Sequence, residues 1–216
     1  MSEQSTLVTD AHFQYIARHT AGEDAFLRDL KKAASAAGIP SIWIAPEQAS
    51  LMQILLRIGA AREVVEIGTL AGYSAIAMAR ALPAEGHVRT IELEKKHADF
   101  AEQWVAKSDV AGKVQVFRGS GMDVLPGFAA NSADAAFLDA DKASYPKYLA
   151  ECLRIVRRGG LIMVDNAFAF GELFADSPSD REVTAVREFN EHMAKVRDVQ
   201  SVIVPIGDGL WVGVRR

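Results

Sequence analysis

The residues in this 216-residue chain best equipped for chemistry lie in two short strings, FLDADKASY with Asp139 and Lys142, and IMVDNAF with Asp165 and Asn166. Two carboxylates and an amide oxygen form a hard-oxygen set that suits Mg2+ or another divalent cation such as Ca2+ or Mn2+, and does not suit zinc, which prefers His and Cys. Magnesium takes about six oxygens, so three protein ligands leave positions open for water and a substrate, as in a catalytic site. Lys142 stands three residues past Asp139. Like charge disfavours an ammonium beside a divalent cation, which makes Lys142 a candidate general base. A lone strand-terminal Asp more often caps the next helix. Two acids and an Asn at neighbouring strand ends weigh against that plainer reading.

A second cluster surrounds VVEIGTLAGYS, where Gly68 and Gly72 occupy the turn from a strand into a helix. Glycine lets backbone amides approach a ligand, and a helix N-terminus favours a negative group such as a carboxylate. A nicotinamide enzyme calls for G-x-G-x-x-G. Here Glu66 precedes the first glycine and Leu70 stands where another would be, so an NAD-dependent dehydrogenase is disfavoured. Glu66 can face an ammonium and would repel a pyrophosphate. Glu92, closing the next strand, can accept both hydroxyls of a ribose. Together these acids suggest a nucleoside that carries an amino acid, with Ser120 and Gly121 of RGSGMDVL bordering its adenine.

Five apolar runs position these groups: 64–67, 88–92, 114–117, 135–139 and 161–165, with helical patterns over 72–82, 94–109 and 145–157 between them. That alternation predicts a parallel sheet with ligands beyond the carboxyl ends of its strands. Residues 9–37 and 46–60 read as helices, the second opening on Pro46 and Glu47. Turn signals fall at 83–86 and at Gly159-Gly160. After a helix over 180–195, SVIVPI and LWVGVRR flank Gly207-Asp208-Gly209 and predict an antiparallel hairpin. The expected organisation is one domain over 1–216, with residues 1–60 as an N-terminal helical extension.

The net charge of -4 and the lack of a basic run argue against a nucleic-acid backbone as partner. No signal-peptide pattern or long apolar run is present, so the expectation is a cytoplasmic protein without a membrane span. Cys152 falls on an apolar helix face and reads as an inert buried thiol. Trp43, Phe168, Phe170, Phe174 and Trp211 are candidates for an aromatic acceptor pocket, core packing being the alternative.

EIGTLAGYS, LDADKASY, VDNAF and PIGDGLWVGVRR, in this order from about Pro46 to Arg216, resemble the motifs of the cation-dependent O-methyltransferases. That family includes plant caffeoyl-coenzyme A enzymes, animal catechol enzymes and bacterial relatives. The resemblance implies an α/β fold of the Rossmann-like class I methyltransferase type: a mostly parallel seven-stranded sheet with an antiparallel C-terminal strand and helices on both faces. It also implies S-adenosylmethionine as methyl donor, a small phenolic acceptor of catechol type and a homodimer. The implied metal ligands are Asp139, Asp165 and Asn166, and the implied general base is Lys142. Cofactor contacts carry over to Glu66, Gly68, Thr69, Ser74, Glu92 and Asp141, with Ser120 and Gly121 beside them. The N-terminal region differs from that of the plant enzymes and gives a coenzyme A thioester no support. The rivals are a metal-independent methyltransferase for another acceptor and a non-catalytic nucleoside-binding regulator.

Overall fold

Short apolar runs become neighbouring strands in the computed structural model, which describes residues 6–20, 22–178 and 180–216. The strands are β1 (Glu63–Ile67), β2 (His87–Glu92), β3 (Val114–Arg118), β4 (Ala133–Leu138), β5 (Val156–Val164), β6 (Val199–Val204) and β7 (Leu210–Arg215). They form a seven-stranded sheet in the order β3-β2-β1-β4-β5-β7-β6. Strands β1 to β5 pair in parallel, and β7 runs antiparallel to both β5 and β6. The central strands are apolar almost throughout because both of their faces are covered.

Helices α1 (Asp10–His19), α2 (Ala25–Ala36), α3 (Pro46–Ile58), α4 (Tyr73–Ala79), α5 (Lys95–Lys107), α6 (Gly121–Val124), α7 (Tyr145–Ile155) and α8 (Arg181–Met193) surround the sheet. Side chains alternate across a strand, so Val64, Ala135 and Met163 pack with Leu30 of α2, Met52 of α3 and Ile76 of α4 in one cluster. Val65, Ala136 and Val164 point the other way, into a second cluster with Leu149 and Ile155 of α7 and Phe189 of α8. Helices on both faces are thus a direct consequence of the strand alternation. Cys152 is buried in the second cluster, where desolvation pushes its thiol pKa upward and keeps it protonated.

Two local readings need correction. The stretch 9–37 is not one helix: α1 stops at His19 and α2 starts at Ala25. Gly22 lies in the break, and the Asp24 carboxylate accepts the Leu27 N–H at 2.9 Å, a side-chain cap that begins a new helix. Further on, Gly159-Gly160 is no turn between elements but lies inside β5, where the pairing with β4 shifts register between Ala133 and Ala135. A side chain at Gly160 would meet the Asp134 carbonyl at 2.6 Å, so the glycine serves an irregular, closely packed strand. Among the described residues no helix is long and apolar enough to cross a membrane.

Strand order reverses between β1 and β4, the place where open α/β sheets form a ligand crevice. Gly68 follows β1 with φ +99°, and a Cβ there would lie 1.9 Å from the Asp139 carbonyl oxygen that follows β4. Gly68→Ala should therefore cost about 2 to 6 kcal/mol through backbone strain and forced displacement together. Melting curves should show a fall of at least roughly 4 °C; an unchanged melting temperature would mean the strand ends can separate freely.

Candidate active site

Where β1, β2, β4 and β5 end, one cavity of about 1160 Å3 opens, and most of the residues singled out in the sequence meet there. Gly68, Thr69, Ser74, Glu92, Ser120, Gly121 and Asp141 line it, as do Asp139, Lys142, Asp165 and Asn166. Glu66 is the exception, fully buried beneath the glycine turn and absent from the cavity wall. No hydrogen bond of good geometry reaches either of its carboxyl oxygens, although the hydroxyls of Ser74 and Thr90 lie near. Burial pushes its pKa up to about 8; the hydroxyls of Ser74 and Thr90 offset part of this, and the charges of Asp139 and Glu92 add to it. At neutral pH Glu66 is mostly a neutral acid.

The cavity wall on the β1 and β2 side is organised by Glu92. Its Oε2 accepts the backbone N–H groups of Thr69 at 3.2 Å and Leu70 at 2.8 Å, and its Oε1 accepts the N–H of Glu94 at 2.8 Å. The carboxylate thus ties the glycine turn to the end of β2, a structural task that its spacing alone did not reveal. Leu70 is held with φ +48°, so the turn uses left-handed backbone even where the glycine is missing. Thr69 is fixed by a 2.5 Å hydroxyl contact with Thr90. On the far wall Ser120 accepts the Met122 N–H, and Gly121 leaves room for the Tyr148 ring, whose hydroxyl donates to Asp141 Oδ1 at 2.7 Å.

On the β4 and β5 side, each candidate ligand has one atom pinned. Lys142 Nζ lies 3.1 Å from Asp139 Oδ1 and donates to the Tyr145 hydroxyl at 2.8 Å. Tyr145 is fully buried, and desolvation followed by the charges of Asp139 and Asp165 pushes its pKa up, so it stays protonated. Gln48, buried near the start of α3, donates through Nε2 to Asp165 Oδ1 at 2.8 Å. Asn166 Nδ2 donates to Asp208 Oδ2 at 3.1 Å, while Asn166 Oδ1 is buried without a partner.

Asp165 is pushed up to about 7, first by burial and then by the charge of Asp139, with Gln48 and the Asn166 backbone working against the shift. A buried acid raised by the neighbouring Asp139 charge and an unpartnered amide oxygen make a set short of positive charge. Among the described residues no three His, Cys, Asp or Glu side chains converge as a metal site. The candidate set is therefore two carboxylates and an amide, and these hard oxygens fit a magnesium-like cation.

Of the aromatic candidates, Trp43 and Phe170 line the cavity. Phe168 packs instead against Gly209, Phe174 is 93% exposed, and Trp211 is buried in the core with its Nε1 donating to Asn190 at 2.7 Å. The sequence reading missed Gln48, Tyr145 and Asp208. Tyr145 and Asp208 stood in noted strings, the one ending FLDADKASY without a role and the other serving as a turn signal, whereas Gln48 stood in none.

Glu66 offers a titration test on ligand-free protein. Its folded value, about 8, lies above its unfolded value of 4.5, so its contribution to stability is whole below pH 4.5 and is lost as pH rises through 8. Glu66→Gln keeps the shape and removes the proton. Thermal stability should decline less steeply from about pH 5 to pH 8 in the variant than in the wild type; parallel profiles would refute the raised value.

Residues 17–216 match the O-methyltransferase family. A catechol O-methyltransferase of Mycobacterium tuberculosis is 36% identical over 193 residues, covering 89% of this chain and 87% of its own. One of Niastella koreensis is 34% identical over 193 residues, covering 88% and 87%. Among solved structures, an O-methyltransferase of Bacillus cereus in complex with SAH superposes with a TM-score of 0.85 at 31% identity, covering 95% of this chain and 97% of that one. With this cavity at the switch point of this sheet, the chain belongs to the O-methyltransferase family.

Proposed function

We propose that this protein transfers the methyl group of S-adenosylmethionine to one hydroxyl of a catechol-like small molecule, in a reaction that depends on a divalent cation. One observation carries the reading: the unpartnered Asn166 Oδ1, together with Asp139 and Asp165, shares a single cavity with the glycine turn and Glu92. The names of the two catechol O-methyltransferase relatives support the acceptor class, and the SAH complex of the Bacillus cereus enzyme supports the donor. A homodimer in the cytoplasm is part of the same proposal, and sedimentation of the purified chain tests its assembly.

Asp139, Asp165 and Asn166 would hold the cation. When bound, the cation supplies Lewis acidity and a template for two adjacent oxygens, and the donor supplies a sulfonium methyl. Glu92 accepts the ribose hydroxyls on one side while it keeps the glycine turn closed from the other. Lys142 Nζ takes the proton of the reacting hydroxyl, held in place by Asp139 and Tyr145. Phe170 and Trp43 wall the acceptor side, with the Phe170 ring centroid 5.8 Å from Lys142 Nζ. The freed acceptor oxygen then displaces the thioether in one step, so no covalent enzyme intermediate is needed.

Asp165→Ala should abolish methylation of a test catechol and weaken Mn2+ binding, while calorimetry finds the affinity for S-adenosylhomocysteine little changed. Near-normal turnover at saturating magnesium, or turnover that survives a chelator, would overturn the cation-dependent reading.

Glu92→Ala should act on the other substrate. Loss of two charge-assisted hydrogen bonds, each worth about 1.5 to 3 kcal/mol, should lower S-adenosylhomocysteine affinity at least tenfold. Because three backbone amides lose their acceptor as well, the melting temperature should fall. An unchanged dissociation constant would move the ribose site elsewhere.

A further inference from the structure

We infer that Asp208, in the turn between β6 and β7, is a positioning residue that sets both the aim of Asn166 and the wall of the acceptor pocket; this rests on the cation-dependent reading above. A single oxygen, Asp208 Oδ2, accepts two hydrogen bonds. One comes from Asn166 Nδ2 at 3.1 Å and the other from the Phe170 backbone N–H at 2.8 Å. A carboxylate offers only acceptors, so the nitrogen end of the Asn166 amide must face it. Turned over, the amide would set two acceptor oxygens against each other and bury its N–H donors unpaired. Asp208 therefore forces Asn166 Oδ1 towards the other side, where it is buried without a partner beside the cavity.

The second bond fixes the wall. Asn166, Ala169 and Phe170 all have positive φ, at 65°, 54° and 59°, an uncommon conformation for side-chain-bearing residues that persists only where the surroundings enforce it. The 207–209 turn provides that enforcement. The Phe168 N–H donates to the Asp208 carbonyl and the Ala167 N–H to the Gly209 carbonyl, each at 2.8 Å. The same turn bears on Asp165: a Cβ at Gly207 would lie 2.0 Å from Gln48 Oε1, and it is Gln48 that holds Asp165. The cation ligands and the half-exposed Phe170 ring are thus referred to one rigid turn. Moving Asp208 misaims a ligand and loosens the ring, and for an asymmetric vicinal diphenol the ring position governs which hydroxyl faces the methyl.

The test titrates the full chain with Mn2+, followed by electron paramagnetic resonance, and measures the ratio of the two methyl ethers formed from an asymmetric catechol. Asp208→Ala should weaken Mn2+ binding about tenfold to a hundredfold, the usual effect of removing a group that orients a metal ligand. It should also draw the product ratio towards equality, with S-adenosylhomocysteine affinity retained. Asp208→Asn keeps the volume and one acceptor oxygen and should recover part of both effects. If the alanine variant does not fold, Asp208→Asn decides alone, and its Mn2+ affinity must fall about tenfold. Wild type that binds no Mn2+ would overturn the cation reading and this inference with it. Wild type that binds, alongside variants with the same Mn2+ affinity and product ratio, would overturn the role of Asp208 alone, whatever their melting temperatures.

Discussion

The bare backbone of Gly68 against the carbonyl of Asp139 is the contact on which the site depends. Strands β1 and β4 are neighbours at the point where the strand order reverses, and the Asp139 N–H donates to the Ile67 carbonyl at 2.9 Å. No side chain can stand between them. Because the two strand ends abut, the turn that follows β1 and the acids that follow β4 and β5 open into the same cavity. Donor and acceptor groups from distant parts of the sequence are brought together by that closeness, and a two-substrate transfer requires such proximity.

The site also stores an electrostatic imbalance. Glu66 and Asp165 are both buried and both raised, to about 8 and about 7, with Asp139 adding to the shift in each case. Lys142 offsets part of the shift of Asp165, and it already pairs with Asp139. Buried charge without compensation is costly, so a fold that concentrates acids here is suited to ligands that bring positive charge. A divalent cation at one end and a donor carrying an ammonium and a sulfonium at the other have that character.

Much of this was legible in the sequence because strand ends are legible. Once the apolar runs are read as parallel strands, Glu92, Asp139, Asp165 and Asn166 fall at the carboxyl ends by position alone. Depth was not legible. A strand residue's spacing does not say whether it borders the cavity or lies beneath it, which is why Glu66 sits one layer deeper than its motif suggested. Long-range hydrogen bonds were hidden for a different reason. Gln48 meets Asp165 across 117 positions, and Asn166 meets Asp208 across 42; neither pair leaves a local pattern. Aromatic residues were ambiguous in the same way, since Trp211 and Phe170 look alike in composition but Asn190 draws one into the core and the β6–β7 turn holds the other at the cavity.

The two halves of the cavity are built to different degrees of rigidity. The donor half rests on strand ends and on a carboxylate that accepts three backbone amides, so its shape follows from the sheet itself. The proposed acceptor half is a loop with positive φ at Asn166, Ala169 and Phe170, and four of its hydrogen bonds run to the 207–209 turn. Loops tolerate change better than the strands that carry them, and a wall made by Phe170 can vary without disturbing Glu92 or the glycine turn. Such a division lets one scaffold keep a fixed methyl donor while its acceptor preference is set elsewhere. The proposed cation ligands stand at the seam: Asp139 and Asp165 belong to the strand ends, whereas Asn166 opens the loop. On that proposal, any change in the loop that turns Asn166 reaches the cation site, which limits how far acceptor choice can drift without a compensating change in the 207–209 turn.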